Sequence, residues 1–187
     1  MRALATLVLA PLALALCLCV AAPPARAADP ALDPLFGRLA AARGAAEAQG
    51  IEAEIWQSWM MAGGSAATSL MRIGIGALNG GDLPAALGVF DAIVKQNPGF
   101  AEGWNKRATV LYLMGALEAS AGDCERVLQL EPRHFGALSG LGLIRMRQER
   151  VEDAITAFEK ALAVHPNLDG AKTNLDALRR KRRDGAI

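Results

Sequence analysis

The sequence predicts an all-α fold built from repeated helical hairpins. Three observations support this prediction: a 34-residue period, apolar residues spaced three and four apart within each unit, and a proline that closes each unit. The pattern is clearest in residues 135–168, which carry Ala154, Phe158, Ala161 and Pro166. The same positions hold Ser120, Cys124, Val127 and Pro132 one period earlier, and Ala86, Phe90, Ile93 and Pro98 two periods earlier.

Each unit contains the signals for two helices and a stop. In residues 135–168, Leu138, Leu141 and Gly142 share one face of a first helix, and Ala154, Phe158 and Ala161 share one face of a second. The small residues at 142 and 154 let the two helices approach closely. Pro166 ends the second helix because proline cannot continue it and disfavours helical geometry at the residue before it.

These residues resemble the tetratricopeptide repeat, whose pattern has a period of 34 with Trp, Leu-Gly, Ala-x3-Phe and a closing Pro. Trp104, Gly115 and Pro132 make residues 101–134 an especially close match. The resemblance covers three units without insertions: 67–100, 101–134 and 135–168. It implies a right-handed superhelical stack of hairpins that binds proteins.

Segments on both sides of the three units are expected to complete the stack. One period before residue 67, the pattern predicts an N-terminal helical hairpin in residues 28–66, with Asp33-Pro34 at a helix start. We interpret this hairpin as a degenerate repeat. A capping hairpin outside the repeat pattern is the alternative. Residues 169–187 lack a second helix and predict a C-terminal cap helix followed by a basic tail, Arg179–Arg183.

Residues 1–27 are typical of a secretory signal peptide. Arg2 precedes an uncharged stretch rich in Leu and Ala, and Ala25-Arg26-Ala27 predicts cleavage before Ala28. We therefore expect an exported, periplasmic protein of bacterial type. The alternative is an uncleaved inner-membrane anchor, since about 20 apolar residues can span a bilayer. Leu16 and Leu18 beside Cys17 and Cys19 do not fit a lipoprotein signal.

Composition and spacing exclude several classes of protein. The formal net charge of +1 argues against a general nucleic-acid binder, and the three Cys cannot form a disulfide scaffold. His134 and His165, the only histidines, do not have metal-ligand spacing and are expected at turns. We find no nucleophile–base pair or phosphate loop, so no enzyme, metal or cofactor is predicted.

The resemblance implies that a protein or peptide partner binds a concave face formed by the first helices of the hairpins. Helical phase selects the candidate residues on this face: Met71, Ile75, Glu102, Asn105, Thr109, Tyr112, Ser139, Leu143 and Arg147. Some relatives clamp a C-terminal carboxylate with Lys and Asn on their first helix. Met71 and Ile75 occupy that region here, so this clamp is not supported.

Other side chains have a structural interpretation. Cys124 occupies the position of Phe90 and Phe158 and is expected to be buried. Trp56 and Trp59 are expected to pack in the core. Arg107 stands where neighbouring units have Ile73 and Leu141. We expect it to form an internal ion pair, for which the candidates are Glu102, Glu118 and Asp123. The alternative is a side chain that extends to the solvent at the edge of the core.

The sequence thus favours an interaction scaffold of the cell envelope that binds a partner peptide or helix. The alternative is a protein associated with the membrane surface, held by an uncleaved N-terminal anchor or by the basic residues Arg179–Arg183. In the absence of such contact, these residues would form a solvated tail or complement the dipole of the cap helix. The sequence does not identify the partner.

Overall fold

The computed structural model describes residues 29–185, and within that range every regular element is helical. The predicted signal peptide and Ile187 lie outside the described residues. A 3-10 turn, Pro30–Leu32, precedes nine helices: α1 Asp33–Ala41, α2 Ala45–Met61, α3 Gly64–Asn79, α4 Leu83–Gln96, α5 Ala101–Leu113, α6 Leu117–Leu130, α7 Phe135–Arg147, α8 Val151–Val164 and α9 Asp169–Arg183. None of the described helices is long and apolar enough to cross a membrane.

Three consecutive hairpins, α3–α4, α5–α6 and α7–α8, form the stack that the period predicts. Each second helix packs against the first helix of the next unit, and α8 packs in the same way against α9. The residues that directly follow the second helices are Asn97, Glu131 and His165, which have φ angles of −134°, −140° and −130°. Each precedes a proline, which disfavours helical geometry at the residue before it. The all-α fold is therefore confirmed.

Within each hairpin, a small residue on the first helix faces the side chain that fills the space between the helices. A Cβ added to Gly142 would lie 2.6 Å from Phe158 Cε1, and one added to Gly74 would lie 2.7 Å from Phe90 Cε1. The middle unit replaces this pair with Ala108 and Cys124, both buried in the same cluster. A larger residue on one helix is thus matched by a smaller residue on the other.

The N-terminal hairpin, α1–α2, does not continue this stack. Trp59 on α2 lies parallel to the ring of His134, with centroids 4.0 Å apart, and also contacts Phe135. Asn167 at the far end of the stack donates a hydrogen bond to the carbonyl of Ala42 (3.1 Å). The hairpin therefore lies across the loops that join successive units. This placement differs from an in-register first repeat because its large apolar side chains pack on residues of the later loops.

The position of α1–α2 leaves the outer face of α3 uncovered. Ile73, whose equivalents in the next two units are Arg107 and Leu141, is 58% exposed. In the later units the preceding second helix covers this face, as α4 covers α5. The stack is therefore closed at its C-terminal end by α9 but open at α3.

Helix α9 covers the last hairpin, as predicted for a cap helix. Its buried residues Ala171, Leu175 and Leu178 pack in one cluster with Ala154 and Phe158. The helix extends through Arg183, so the basic residues Arg179–Arg183 form its last turns and are not an extended tail.

The turn between the two helices of a unit requires a left-handed residue. Gly81 and Gly115 occupy this position with φ angles of +78° and +81°. In the third unit the equivalent residue is Glu149, with a φ angle of +60°. A side chain with a Cβ is disfavoured in this conformation, so Glu149 stores local backbone strain.

We predict that Glu149→Gly increases the free energy of unfolding by about 1 kcal/mol, because glycine relieves this strain. Urea denaturation measures the change. The reciprocal variant Gly115→Glu serves as the control and should be destabilised by a similar amount. Destabilisation by Glu149→Gly would contradict the assignment of strain to this turn.

A second prediction concerns the fit between paired helices. Gly142→Ala alone is expected to destabilise the protein by about 1–3 kcal/mol through overpacking against Phe158. Phe158→Cys alone should cost about 3–5 kcal/mol because it leaves a cavity. The double variant recreates the Ala108–Cys124 pair of the middle unit and should cost less than the sum of the two. Strict additivity in urea denaturation would disprove this coupling.

Candidate functional site

The concave face carries a small apolar pit between α5 and α7. The pit has a volume of about 110 Å³. Its lining combines residues from α5, α6 and α7: Asn105, Ala108, Thr109, Tyr112, Ser120, Cys124, Gly136, Gly140, Leu143 and Ile144. Four of these were selected from helical phase alone: Asn105, Thr109, Tyr112 and Leu143.

The pit exists because the residues around it are small. Cys124 stands where the neighbouring units have Phe90 and Phe158, and it lines the pit together with Gly136 and Gly140. A Cβ added to Gly140 would lie 3.7 Å from Cys124 Sγ. The middle unit therefore offers a recess that a phenylalanine at position 124 would reduce.

Cys124 serves packing and not thiol chemistry. It is 2% exposed, as predicted from its position. Burial, and secondarily the charges of Asp123 and Glu125, raise the pKa of its thiol to about 12. A nucleophilic cysteine needs an accessible thiolate, which this environment disfavours at neutral pH.

An arginine borders the pit on one side. The guanidinium of Arg147 lies 4.8 Å from the centre of the Tyr112 ring, and its Nη1 donates to the carbonyl of Tyr112 (2.9 Å). Arg147 is exposed, while Ser139, on the same helix, is half-buried. Arg147, through Tyr112, therefore extends the polar edge of the pit toward the C-terminal end of α7.

The structure does not expose every predicted residue of the concave face. Met71 belongs to the core beneath α3 and is 0% exposed, and Ile75 is half-buried near Met60. Glu102 is also 0% exposed, and Asn105 is mostly buried. Met71 and Glu102 are therefore structural residues in this conformation and do not form part of the surface open to a partner.

Glu102 is held by three side chains. His134 Nε2 and Asn105 Nδ2 donate to its Oε2 at 3.1 and 3.0 Å, and Lys106 Nζ lies 2.9 Å from its Oε1. The backbone N–H of Ala137 donates to His134 Nδ1 (3.1 Å). This bond leaves the ring proton on Nε2, the nitrogen that faces Glu102. His134 thereby caps α7, and its Nε2–H group offsets part of the free-energy cost of burying the Glu102 carboxylate.

Burial alone would raise the pKa of Glu102, but the hydrogen bond from His134 and the charge of Lys106 outweigh it. The pKa of Glu102 therefore lies below its ordinary value. The second histidine, His165, is equally enclosed and lies 3.2 Å from Glu52 on α2. Both histidines adjoin the loops between units, as expected, and each links a loop to a neighbouring element.

Helix α2 forms a side wall next to the pit, which the sequence reasoning missed. The ring of Trp56 reaches to 2.6 Å from where a Cβ on Gly136 would stand, and Lys106 Nζ lies 5.4 Å from the ring centre. Trp56 is half-buried and so retains an exposed edge. The aromatic residues Trp56, Trp59, His134 and His165 could have indicated this contact between α2 and the later loops. Each of them was instead interpreted within its own unit.

Arg107 joins two units through two carboxylates. Its Nε and Nη2 both bond to Asp123 at 2.7 Å, and its Nη1 bonds to Asp91 at 2.8 Å. These hydrogen bonds raise the pKa of Arg107, with Asp123 the larger contributor. Asp123 was a predicted partner, whereas Glu102 and Glu118 do not pair with Arg107. Asp91 was missed because it belongs to the preceding hairpin.

Among the described residues, no group of three or more potential metal-ligating side chains comes together. The geometry around the pit is that of a binding surface: an apolar recess with amide, hydroxyl and guanidinium groups at its edge.

Comparison with known proteins agrees with this architecture. Models described as tetratricopeptide repeat match residues 71–134 and 135–168. A TPR repeat-containing protein of Rhizobium etli is 35% identical over 150 residues, which are 80% of this chain and 74% of that protein.

The chain belongs to the tetratricopeptide repeat family. The predicted resemblance is thereby confirmed. Tetratricopeptide repeat proteins are generally noncatalytic interaction modules.

Other matches cover a smaller part of this chain. Human DnaJ homolog subfamily C member 3 is 30% identical over 97 residues, which are 52% of this chain but only 19% of that protein. The Sgt2 TPR domain from Aspergillus fumigatus has a TM-score of 0.62 at 22% identity and covers 66% of this chain and 83% of that domain. The first TPR of Spaghetti (RPAP3), bound to the HSP90 peptide SRMEEVD, has a TM-score of 0.61 at 20% identity, with coverage of 63% and 93%. These structures support the fold.

We predict that Glu102→Gln destabilises the protein by about 2 kcal/mol at pH 7, because it removes a charged acceptor from a buried network. Since the folded-state pKa is lowered, this contribution is fully present above the ordinary value of 4.5 and is lost as the pH falls through the folded-state pKa. Below pH 4.5, the unfolding free energy of the wild type should therefore fall more steeply than that of Glu102→Gln.

Urea denaturation between about pH 3 and 7, the range in which carboxyl groups titrate, measures the unfolding free energy of both proteins. Asp176→Asn is the matched control, because Asp176 is an exposed carboxylate on α9 that forms no ion pair with the described residues. It should follow the wild type. Parallel profiles for wild type and Glu102→Gln would refute the linkage.

Proposed function

We propose that this protein is a noncatalytic interaction scaffold of the cell envelope that binds a peptide or helix of a partner protein on its concave face. The observation that carries the proposal is the apolar pit between α5 and α7, with Asn105, Thr109, Tyr112 and Leu143 around it. An apolar recess accepts a side chain, while amide and hydroxyl groups at its edge bind peptide groups. Arg147 adds a cation beside the recess.

Solved relatives support a peptide as the partner. The first TPR of Spaghetti (RPAP3) was solved with an HSP90 peptide and the second TPR domain of human RPAP3 with an HSP70 peptide. The present chain differs at the region used by relatives that clamp a terminal carboxylate, because Met71 is buried and Ile75 is apolar. We therefore expect it to recognise an internal segment through the pit.

Location in the envelope rests on the sequence of residues 1–27. The apolar stretch and the Ala25-Arg26-Ala27 site support export and cleavage. Beyond residue 27 Cys124 is the only cysteine, so the folded part requires no disulfide. N-terminal sequencing of the exported protein tests cleavage, and a chain that still begins at Met1 would contradict it.

We predict that a photo-crosslinking residue at Thr109 captures a defined partner in the native compartment. Thr109 is exposed at the edge of the pit, and mass spectrometry identifies the captured protein. The same residue at Thr156, an exposed threonine on α8, is the matched control and should not capture that protein.

Two further variants test whether the pit is responsible. Tyr112→Ala and Leu143→Glu should each reduce crosslinking at Thr109 by about tenfold or more, as expected for loss of an apolar anchor or burial of a charge. Ile73→Glu, on the uncovered face of α3, should leave it unchanged. Equal crosslinking in wild type, Tyr112→Ala and Leu143→Glu would place the interface elsewhere.

A further inference from the structure

The end of α9 is a concentrated basic surface that the proposed function does not use. Five consecutive basic residues, Arg179–Arg183, occupy its last turns. Because they are helical, their side chains have fixed directions around the helix axis, about 100° apart.

Two of the five are tied to α8. Arg179 Nη2 lies 2.8 Å from Glu159 Oε1, and Arg182 Nη1 lies 3.1 Å from Glu152 Oε2. Together with the buried Leu178, these contacts fix the end of α9 against the stack. They partly neutralise the side of the helix that faces the protein.

The other three basic side chains are not tied to α8, although Lys181 borders a groove that also includes Met146 and Glu149 of the last hairpin. Helical spacing places Arg180 opposite the buried Ala171, Leu175 and Leu178, with Lys181 and Arg183 on either side. All three are exposed, and none forms an ion pair with the residues that the structure describes. Asp184, the next residue along the chain, offsets part of their charge.

The charge of the protein is divided along the stack. Residues 145–184 contain ten basic and seven acidic side chains, whereas residues 29–144 contain eight basic and twelve acidic side chains. The folded part therefore has a charge separation that a nearly neutral net charge conceals. Near a negatively charged surface, this separation favours an orientation with α9 toward the surface.

We propose that the C-terminal end of α9 docks on a membrane surface rich in anionic phospholipid, through Arg180, Lys181 and Arg183. Each basic side chain near such a surface adds electrostatic attraction. The surface contains no aromatic side chain for stacking nucleotide bases, since Phe158, the only aromatic residue between 145 and 185, is 0% exposed. This absence favours lipid over single-stranded nucleic acid.

Sedimentation of the wild-type protein with vesicles tests the proposal. Binding is expected to vesicles that contain phosphatidylglycerol and not to pure phosphatidylcholine vesicles. It should weaken about tenfold or more in the variant Arg180→Gln/Lys181→Gln/Arg183→Gln, and disappear when the salt concentration is raised to about 0.5 M. This variant retains Arg179 and Arg182, so the attachment of α9 to α8 is preserved, and circular dichroism verifies its helix content.

The matched control removes the same charge from the acidic part of the stack. Arg43→Gln/Arg72→Gln/Lys95→Gln changes three exposed side chains that form no ion pair with the described residues. It should retain vesicle binding within about twofold, because Arg72 and Lys95 lie on α3 and α4, and Arg43 adjoins the opposite, N-terminal end of α9. Equal weakening in both variants, or no preference for phosphatidylglycerol, would overturn the proposal. Tighter binding to a single-stranded oligonucleotide than to the vesicles would also overturn it.

Discussion

The architecture depends on how closely the two helices of each hairpin can approach. Gly74 and Gly142 leave no room for even a Cβ beside Phe90 and Phe158, so these contacts set the separation of the helices. In the middle unit, Ala108 and Cys124 are buried together at the same two positions. Since the units stack on one another, this local fit determines where every first helix lies, and therefore the shape of the concave face.

The same substitution connects packing to binding. Cys124 is smaller than the phenylalanine of the neighbouring units and therefore leaves room for Ala108, which is larger than their glycine. It also leaves the recess that Gly136 and Gly140 line. The replacement of phenylalanine by Cys124 between α5 and α6 thus also shapes the surface between α5 and α7. The candidate site consequently depends on two successive units, because α5 and α6 of the middle unit and α7 of the third unit line it.

The repeating part of the fold could be predicted because each unit obeys local rules. A 3.6-residue pattern, a proline stop and a 34-residue period fix both helices of a hairpin, and helical phase placed Asn105, Thr109, Tyr112 and Leu143 on one surface. The position of α1–α2 could not be predicted in this way, because it depends on contacts with the loops of units that are distant in sequence. The burial of Glu102 and the pairing of Arg107 with Asp91 were missed because they depend on contacts between neighbouring units.

The N-terminal hairpin also changes how stability is shared along the chain. In a simple repeat array each unit contacts only its neighbours, so the ends can fray while the middle stays folded. Here Arg133 bonds to Asp33, His165 bonds to Glu52 and Asn167 bonds to the carbonyl of Ala42. These bonds join residues 100, 113 and 125 positions apart. The hairpin thus fastens the first described residues to the last full repeat, and the array gains the cooperativity of a globular domain.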